Sequence, residues 1–564
     1  MARKTARPAA KPKKAFGRSL TDFGKLSVPE KKLIEACGLG RVCRLGDGKR
    51  PEKAKKGNMI RAGLIRFLAL GGDDEAPVHE NGIWLRGAYI AGHLDLASCR
   101  CEIPLVVHGS MFSETLTIVD ASIPLLSLQG SAVPGIGGDR AAIKGDVFLN
   151  NGFRASGEVR FLGARIGGSL ACTRGTFAPK EGHALSCDRA VIKGSVFLDE
   201  GFKATGEVLF LDARIGGSLA CTGGTFAPEK GDALSCDGAA IKGDVFLKNG
   251  FRASGSVRFL GARIGGNLDC TGGTFAPKEG HALTCDGAAI SGVLFFRYVK
   301  EVRGSVSLSG CHAHALADDR ASWGKVPGLI LDGFTYSRIV DGPTDATTRI
   351  AWLKRPMPKS VVNRNFRPQP WEQCIKALRE MGHEADARQV AIAKQEAMRE
   401  AGVIRGPMRR PLHWLYGVLA GYGYKPLNTI LAMIIAWFAC GVVYQGAGDS
   451  GLMAPSSAIV QTDERLLRIC GMESWSRETQ WTVCAALPQE YTTFSPYLYS
   501  LDLVLPLVDL QQDRDWAPIV MGDDGRTFIW PGVFIRFVMW FEILFGWAMS
   551  LLLVAVLGNL VKKD

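Results

Sequence analysis

The sequence predicts a mainly β fold: a right-handed β-helix, or solenoid, with an N-terminal helical cap, followed by a helical hairpin and two transmembrane helices with a re-entrant segment. Three observations predict it. One phrase recurs at a fixed step, its short apolar runs are broken by glycine too often for a flat sheet, and two late stretches are long and nearly uncharged. Ile143-Lys-Gly-Asp-Val-Phe-Leu returns from Ile192 and Ile241, and in worn form as Ile290-Ser-Gly-Val-Leu-Phe-Phe, each copy 49 residues after the last. A step without insertion or deletion is the mark of stacked repeats.

Each unit divides in two. Ala164-Arg-Ile-Gly-Gly-Ser-Leu recurs from Ala213 and Ala262, so successive Ile anchors are 23 and then 26 residues apart. Alternation puts Ile166, Gly168, Leu170 and Cys172 on one face and Arg165, Gly167, Ser169 and Ala171 on the other. Coiling each half-unit once and stacking it on the next gives every strand a partner about 4.8 Å away. About ten coils, a rod of about 50 Å, follow from that spacing.

Two ladders run through the repeat. Cys172, Cys221 and Cys270 form one cysteine series and Cys187, Cys236 and Cys285 another, both on the inward parity. Members of a series are two coils apart, roughly 10 Å, beyond the reach of about 7 Å for a disulfide. They are expected to be inert core residues. The second ladder is outward: Arg165, Arg214 and Arg263, with Lys144, Lys193 and Lys242 nearby. It is a candidate stripe for an anionic ligand, weighed against a plain solvated face.

The 564 residues exceed one ordinary domain, and the 68 glycines, well above the usual share, are mostly repeat residues. Net charge is +13, and twelve of the fifteen cysteines precede the first membrane-like stretch with no secretory signal ahead of them. A disulfide framework is thereby disfavoured.

In chain order, residues 1–26 read as a disordered tail, with seven Lys or Arg and no acid in the first 18 positions. Residues 27–82 read as the helical cap. Ser27-Val-Pro-Glu is a helix start, and Asn58 to Leu70 an amphipathic helix stopped by glycine. Residues 83–340 are the solenoid. Cys311, His312 and His314 near its end are candidate metal ligands, although no second pair at zinc-site spacing accompanies them. Residues 341–369, rich in Pro, Arg and Asn, read as a linker, and residues 370–403 as two helices joined at Gly382.

Residues 404–564 form a membrane module, with spans at about 427–445 and 537–561. Arg405, Arg409, Arg410 and Lys425 precede the first span and Lys562-Lys563 follow the second. The intervening loop, 446–533, holds twelve acids against five Lys or Arg. Positive-inside logic places both termini in the cytoplasm of a bacterial inner-membrane protein, and the loop in the periplasm. Cys470 and Cys484, the loop's only cysteines, could pair there. Residues 494–512 are apolar but broken by Asp502, Pro506 and Asp509, which suits a re-entrant segment. Asp502, Asp509, Glu542 and Gly546 are the membrane or pore candidates, Glu542 as the one acid inside a span.

Span, re-entrant piece, then a span carrying Glu542-x-x-x-Gly546 resembles the two-span module of ion channels. No Thr-Val-Gly-Tyr-Gly filter follows, so potassium selectivity is not implied. Across most of the chain, Gly-Ala-Arg-Ile-Gly-Gly, Pro-Gln-Pro-Trp-Glu-Gln, Met-Gly-His-Glu-Ala-Asp-Ala-Arg and Tyr-Ser-Leu-Asp-Leu-Val-Leu-Pro-Leu-Val-Asp-Leu are similar to recurring phrases of a family of bacterial membrane proteins with pentapeptide-like repeats. That family often carries the label membrane-associated oxidoreductase. No flavin, nicotinamide, haem or iron–sulfur motif is read here, so no cofactor is expected. Pentapeptide proteins that mimic DNA are acidic, and this chain is basic, so no specific nucleic-acid partner is expected. The expected partners are the lipid bilayer and a protein or anionic ligand on the solenoid, with a homo-oligomer if a pore forms. The leading expectation is a non-enzymatic solenoid coupled to a channel-like module. The alternatives are a redox protein using the repeat cysteines and a plain tethered scaffold.

Overall fold

The computed structural model describes residues 19–358, 365–470, 481–484, 487–522 and 526–561. The basic stretch at 1–18 lies outside them. The chain falls into two units, Met1–Ala391 and Ile392–Asp564.

In the first unit the chain winds as a parallel β-solenoid. One coil is built from the short strands Ala142–Ile143, Val147–Phe148, Arg154–Ala155 and Val159–Arg160. The next coil begins at Arg165–Ile166, with Ala142 opposite Arg165 and Ile143 opposite Ile166. Two of the sheets so formed have 11 strands each, close to the expected number of coils. The alternation of 23 and 26 residues has a local cause: every second coil carries a longer loop between its third and fourth strands, as from Phe177 to Leu185. Inside, the rings of Phe153, Phe177, Phe202, Phe226, Phe251 and Phe275 stack coil on coil at 5.2–5.5 Å between centroids. Gly167 shows why the corner needs glycine, since a Cβ there would lie 2.0 Å from the Lys144 carbonyl oxygen.

All six repeat cysteines are buried and free. In the stack they alternate with Leu149, Leu198 and Leu247 or with Phe161, Phe210 and Phe259, which separates the sulfurs of each series as expected. Burial pushes their thiols above the usual range, so thiolate chemistry is suppressed. Cys221→Ala should cost about 1 kcal/mol through a small cavity. A midpoint shift in denaturant unfolding of that size, with function intact, is the expected measurement.

The N-terminal cap is formed by helix α1, Val28–Gly38, and helix α2, Ala62–Ala69. Ser27 caps α1 and exchanges hydrogen bonds with Glu30, which also pairs with Arg61 at 2.6 Å. Two expectations are corrected here. The cap starts before position 27, because Leu20–Phe23 is a turn whose Phe23 packs on Phe67 at 5.5 Å. The helix expected from Asn58 starts only at Ala62, because Met59–Arg61 pairs as a strand with Tyr89–Ala91 and joins the stack.

The other end is closed by the stretch expected to be a linker. Ala346–Leu353 is a helix, α3, capped by Asp345. Its Arg349, fully buried, makes a bidentate pair with buried Asp318 at 2.7 and 2.8 Å. Asp318 also accepts from the Trp323 indole at 2.7 Å, and Trp323 stacks on Phe296 at 4.3 Å. A high content of Pro and Arg hid an element whose one arginine is a core residue; residues 359–364 of that stretch lie outside the described ones. The hairpin follows as α4, Gln369–Glu380, and α5, Glu384–Glu400, turning at Gly382 with φ +83°. Helix α4 covers the last strand, its Gln369 and Gln373 side chains donating to the Phe334 and Tyr336 carbonyls. Covering an open edge satisfies groups a further coil would have paired.

The second unit holds α6, Arg409–Ala420, α7, Pro426–Asp449, α8, Pro496–Val504, and α9, Trp530–Val561. A short antiparallel pair, Met453–Pro455 with Trp516–Pro518, closes the loop between α7 and α9. Cys470 and Cys484 form a disulfide, Cα atoms 5.5 Å apart.

Candidate functional site

Helices α7 and α9 are each long and apolar enough to cross a membrane. Both present large apolar side chains outward, Leu427, Ile435, Phe438, Leu544, Leu551 and Val554 among them, each more than half exposed. A helix apolar on every side cannot be satisfied by water. Helix α8 begins at Pro496, favoured at the first helical turn, and ends at Leu505-Pro506, where proline cannot continue it. It packs against both long helices, and small residues set its depth. A Cβ on Gly441 of α7 would lie 2.5 Å from the Tyr497 ring, and one on Gly546 of α9 would lie 2.5 Å from the Val504 carbonyl oxygen.

Glu542 sits one turn from Gly546 on the same face of α9, so the Glu-x-x-x-Gly spacing presents a carboxyl and a gap to α8 together. The side chain is fully buried. Tyr444 of α7 donates to its Oε2 at 2.9 Å, and Ser500 of α8 lies 2.5 Å from its Oε1. Ser500 Oγ also lies 2.8 Å from the Trp437 carbonyl oxygen of α7. Ser500 has one hydroxyl proton and two acceptor neighbours. The set closes when Glu542 carries a proton of its own: Glu542 donates to Ser500, Ser500 to Trp437, and Tyr444 to Glu542. One carboxyl thus ties three helices. No family model, curated protein or solved structure matches this chain.

Asp502 and Asp509 lie elsewhere. Asp502, on α8, accepts from the backbone amides of Leu510 and Asp513 at 2.7 and 3.0 Å and so folds back the segment after the helix. Asp509 pairs with Arg514 at 3.1 Å. Acceptor oxygens of Asp502, Asp509 and Asp513 lie within 4.8 Å of one another. Burial, with the adjacent Asp502 and Asp509 carboxylates, pushes the Asp513 carboxyl up. These acids shape a turn, and two of them have amide or arginine partners already.

In the solenoid, Cys311 points inward and is buried, while His312 and His314 point outward on the strand His312–Asp318. His312 is hydrogen-bonded to Thr335 at 2.9 Å. Strand alternation therefore does not bring the three to one point. Arg165, Arg214 and Arg263 are outward and exposed, as are Lys144, Lys193 and Lys242.

The partners of Glu542 were only half legible in the sequence. The re-entrant segment offers the hydroxyls of Tyr497, Tyr499 and Ser500, and of these Ser500 reaches the carboxyl. Tyr444 and Trp437 were missed, although Trp437, Gly441 and Tyr444 are spaced 4 and 3 apart and share a helix face.

Proposed function

We propose that the chain is a membrane-anchored β-solenoid that binds a partner on the cytoplasmic side and is coupled, through the α4–α5 hairpin, to a channel-like two-span module. The observation that carries this reading is Glu542: a carboxyl buried between two helices apolar enough to span a bilayer, bonded to a short helix between them. An ionisable group in that setting is costly and is kept for ion or proton handling or for gating. The resemblance to pentapeptide-like membrane proteins and to two-span channels points the same way. Conductance of the full chain in a planar bilayer tests it, and a silent bilayer leaves the tethered scaffold.

Orientation has its own support. The disulfide Cys470–Cys484 lies in the acidic loop, while the described cysteines of the solenoid are free. Disulfides persist in oxidising compartments and free thiols in reducing ones. Together with the basic flanks of the spans, this supports a periplasmic loop and a cytoplasmic solenoid. Reporter fusions near Gly324 and after Asp564 should read as cytoplasmic, and one near Gly451 as periplasmic. A periplasmic signal at Gly324 would sink this orientation.

A further inference from the structure

The outward ladder of the solenoid is more ordered than a solvated face requires. Down the first strand of successive coils the outward residues are Ala142, Arg165, Val191, Arg214, Ala240, Arg263 and Ala289. Two residues on in each coil, the matching positions are Lys144, Gly167, Lys193, Gly216, Lys242 and Gly265. The result is two columns, out of step by one coil. Every coil from Lys144 to Arg263 contributes one cation, and uncharged residues separate the cations within a column. Neighbours in a column are about 9.6 Å apart, and the array runs for about 24 Å.

These cations are also unneutralised. Among the described residues none of the six makes an ion pair or a side-chain hydrogen bond. Pairing is available in this fold. On the fourth strand of the coil Arg160 pairs with Asp139, and Arg258 with Asp237 and Asp232. The acids beside the columns, Asp146 and Asp244, turn an oxygen to the amides of Ser169 and Asn267 in the next coil. An aligned row of exposed, unpaired like charges is a surface that an anionic partner can neutralise.

We propose that this face docks on a bilayer surface through the anionic phosphate headgroups of its lipids. A straight array on in-register strands presents a plane of charge, and a charged leaflet is its planar complement. The chain's own apolar helices α7 and α9 would keep such a leaflet at high effective concentration. Arg405, Arg409, Arg410 and Lys425, just before α7, carry the same sign. This inference names the partner of the solenoid and rests on the membrane-anchored reading above.

The test uses the full chain with a benzophenone amino acid in place of Val191, between Arg165 and Arg214 in the ladder. A second version carries it in place of Glu229, in the loop between the third and fourth strands, two corners further round the coil. Each is presented to vesicles of phosphatidylcholine alone or with phosphatidylglycerol. Illumination should cross-link lipid at position 191 and not at 229, and only where phosphatidylglycerol is present. Lys193→Gln combined with Arg214→Gln should reduce the yield by more than tenfold, since each basic residue near such a surface contributes about fivefold. Equal yields in the two vesicle types, equal yields at the two positions, or an unchanged double variant would overturn the proposal. So would capture of added duplex DNA at 191 in preference to lipid. An alkaline wash reports separately on the spans. If it strips the chain from the vesicles, the anchored reading fails, while the cross-link still decides the stripe.

Discussion

Glu542→Ala releases α8 from the two long helices. The substitution leaves the Tyr444 hydroxyl without its acceptor, deprives Ser500 of one neighbour and opens a cavity at a fully buried position. Together these should cost about 3 kcal/mol. The backbone amides of α8 report on the event: their hydrogen exchange, resolved by mass spectrometry, should accelerate by about two orders of magnitude, the equivalent of that loss. The solenoid should keep its unfolding midpoint. Glu542→Gln separates structure from function. Its amide NH2 can donate to Ser500 and its carbonyl accept from Tyr444, so the three helices stay tied. A Gln variant that assembles normally but conducts differently shows that the acid's proton matters. One that also conducts like wild type leaves Glu542 a structural tie only.

Arg349→Ala is the second large effect. Asp318 would keep only the Trp323 indole as a partner and would stand as an uncompensated charge in the solenoid's closing layer. Breaking a buried pair from one side costs about 3–5 kcal/mol. A stack in which each coil touches only its neighbours need not lose stability uniformly. Hydrogen exchange should therefore accelerate by about two to four orders of magnitude in the strand Leu329–Ile330 and in α4, and little near Ile143. Replacing both partners, Asp318→Leu with Arg349→Met, should recover most of the loss, since an apolar pair of similar volume needs no compensation. Uniform acceleration along the whole stack would contradict this account.

The repeated part of the fold was legible because repetition multiplies a weak signal. One Ile-x-Gly phrase means little, but the same phrase at a constant step fixes coil, parity and the burial of both cysteine series. Where the repeat decays, the signal falls to single residues. Arg349 in a Pro- and Arg-rich stretch looks solvated until the fold supplies Asp318 some thirty residues upstream. Met59–Arg61 looks like the first turn of an amphipathic helix because Ile60 suits either periodicity, and only pairing with Ile90 decides for a strand. In the second unit, length and hydropathy announced the two long helices. The contact set around Glu542 depends on three segments meeting, which no local pattern encodes.

The alternation of coils has a consequence for how this protein can change its length. Cysteine stacks on leucine or phenylalanine because odd and even coils differ, and the cations interleave for the same reason. Losing a 23-residue coil would set cysteine directly over cysteine at about 4.8 Å, within disulfide reach, and arginine over arginine at the same spacing; losing a 26-residue coil would set lysine over lysine and leucine over leucine. Losing two coils, 49 residues, would restore every neighbour. Insertions and deletions are therefore expected to be best tolerated in steps of one whole copy. Each such step would lengthen or shorten the rod by about 10 Å and carry its charge pattern along unchanged.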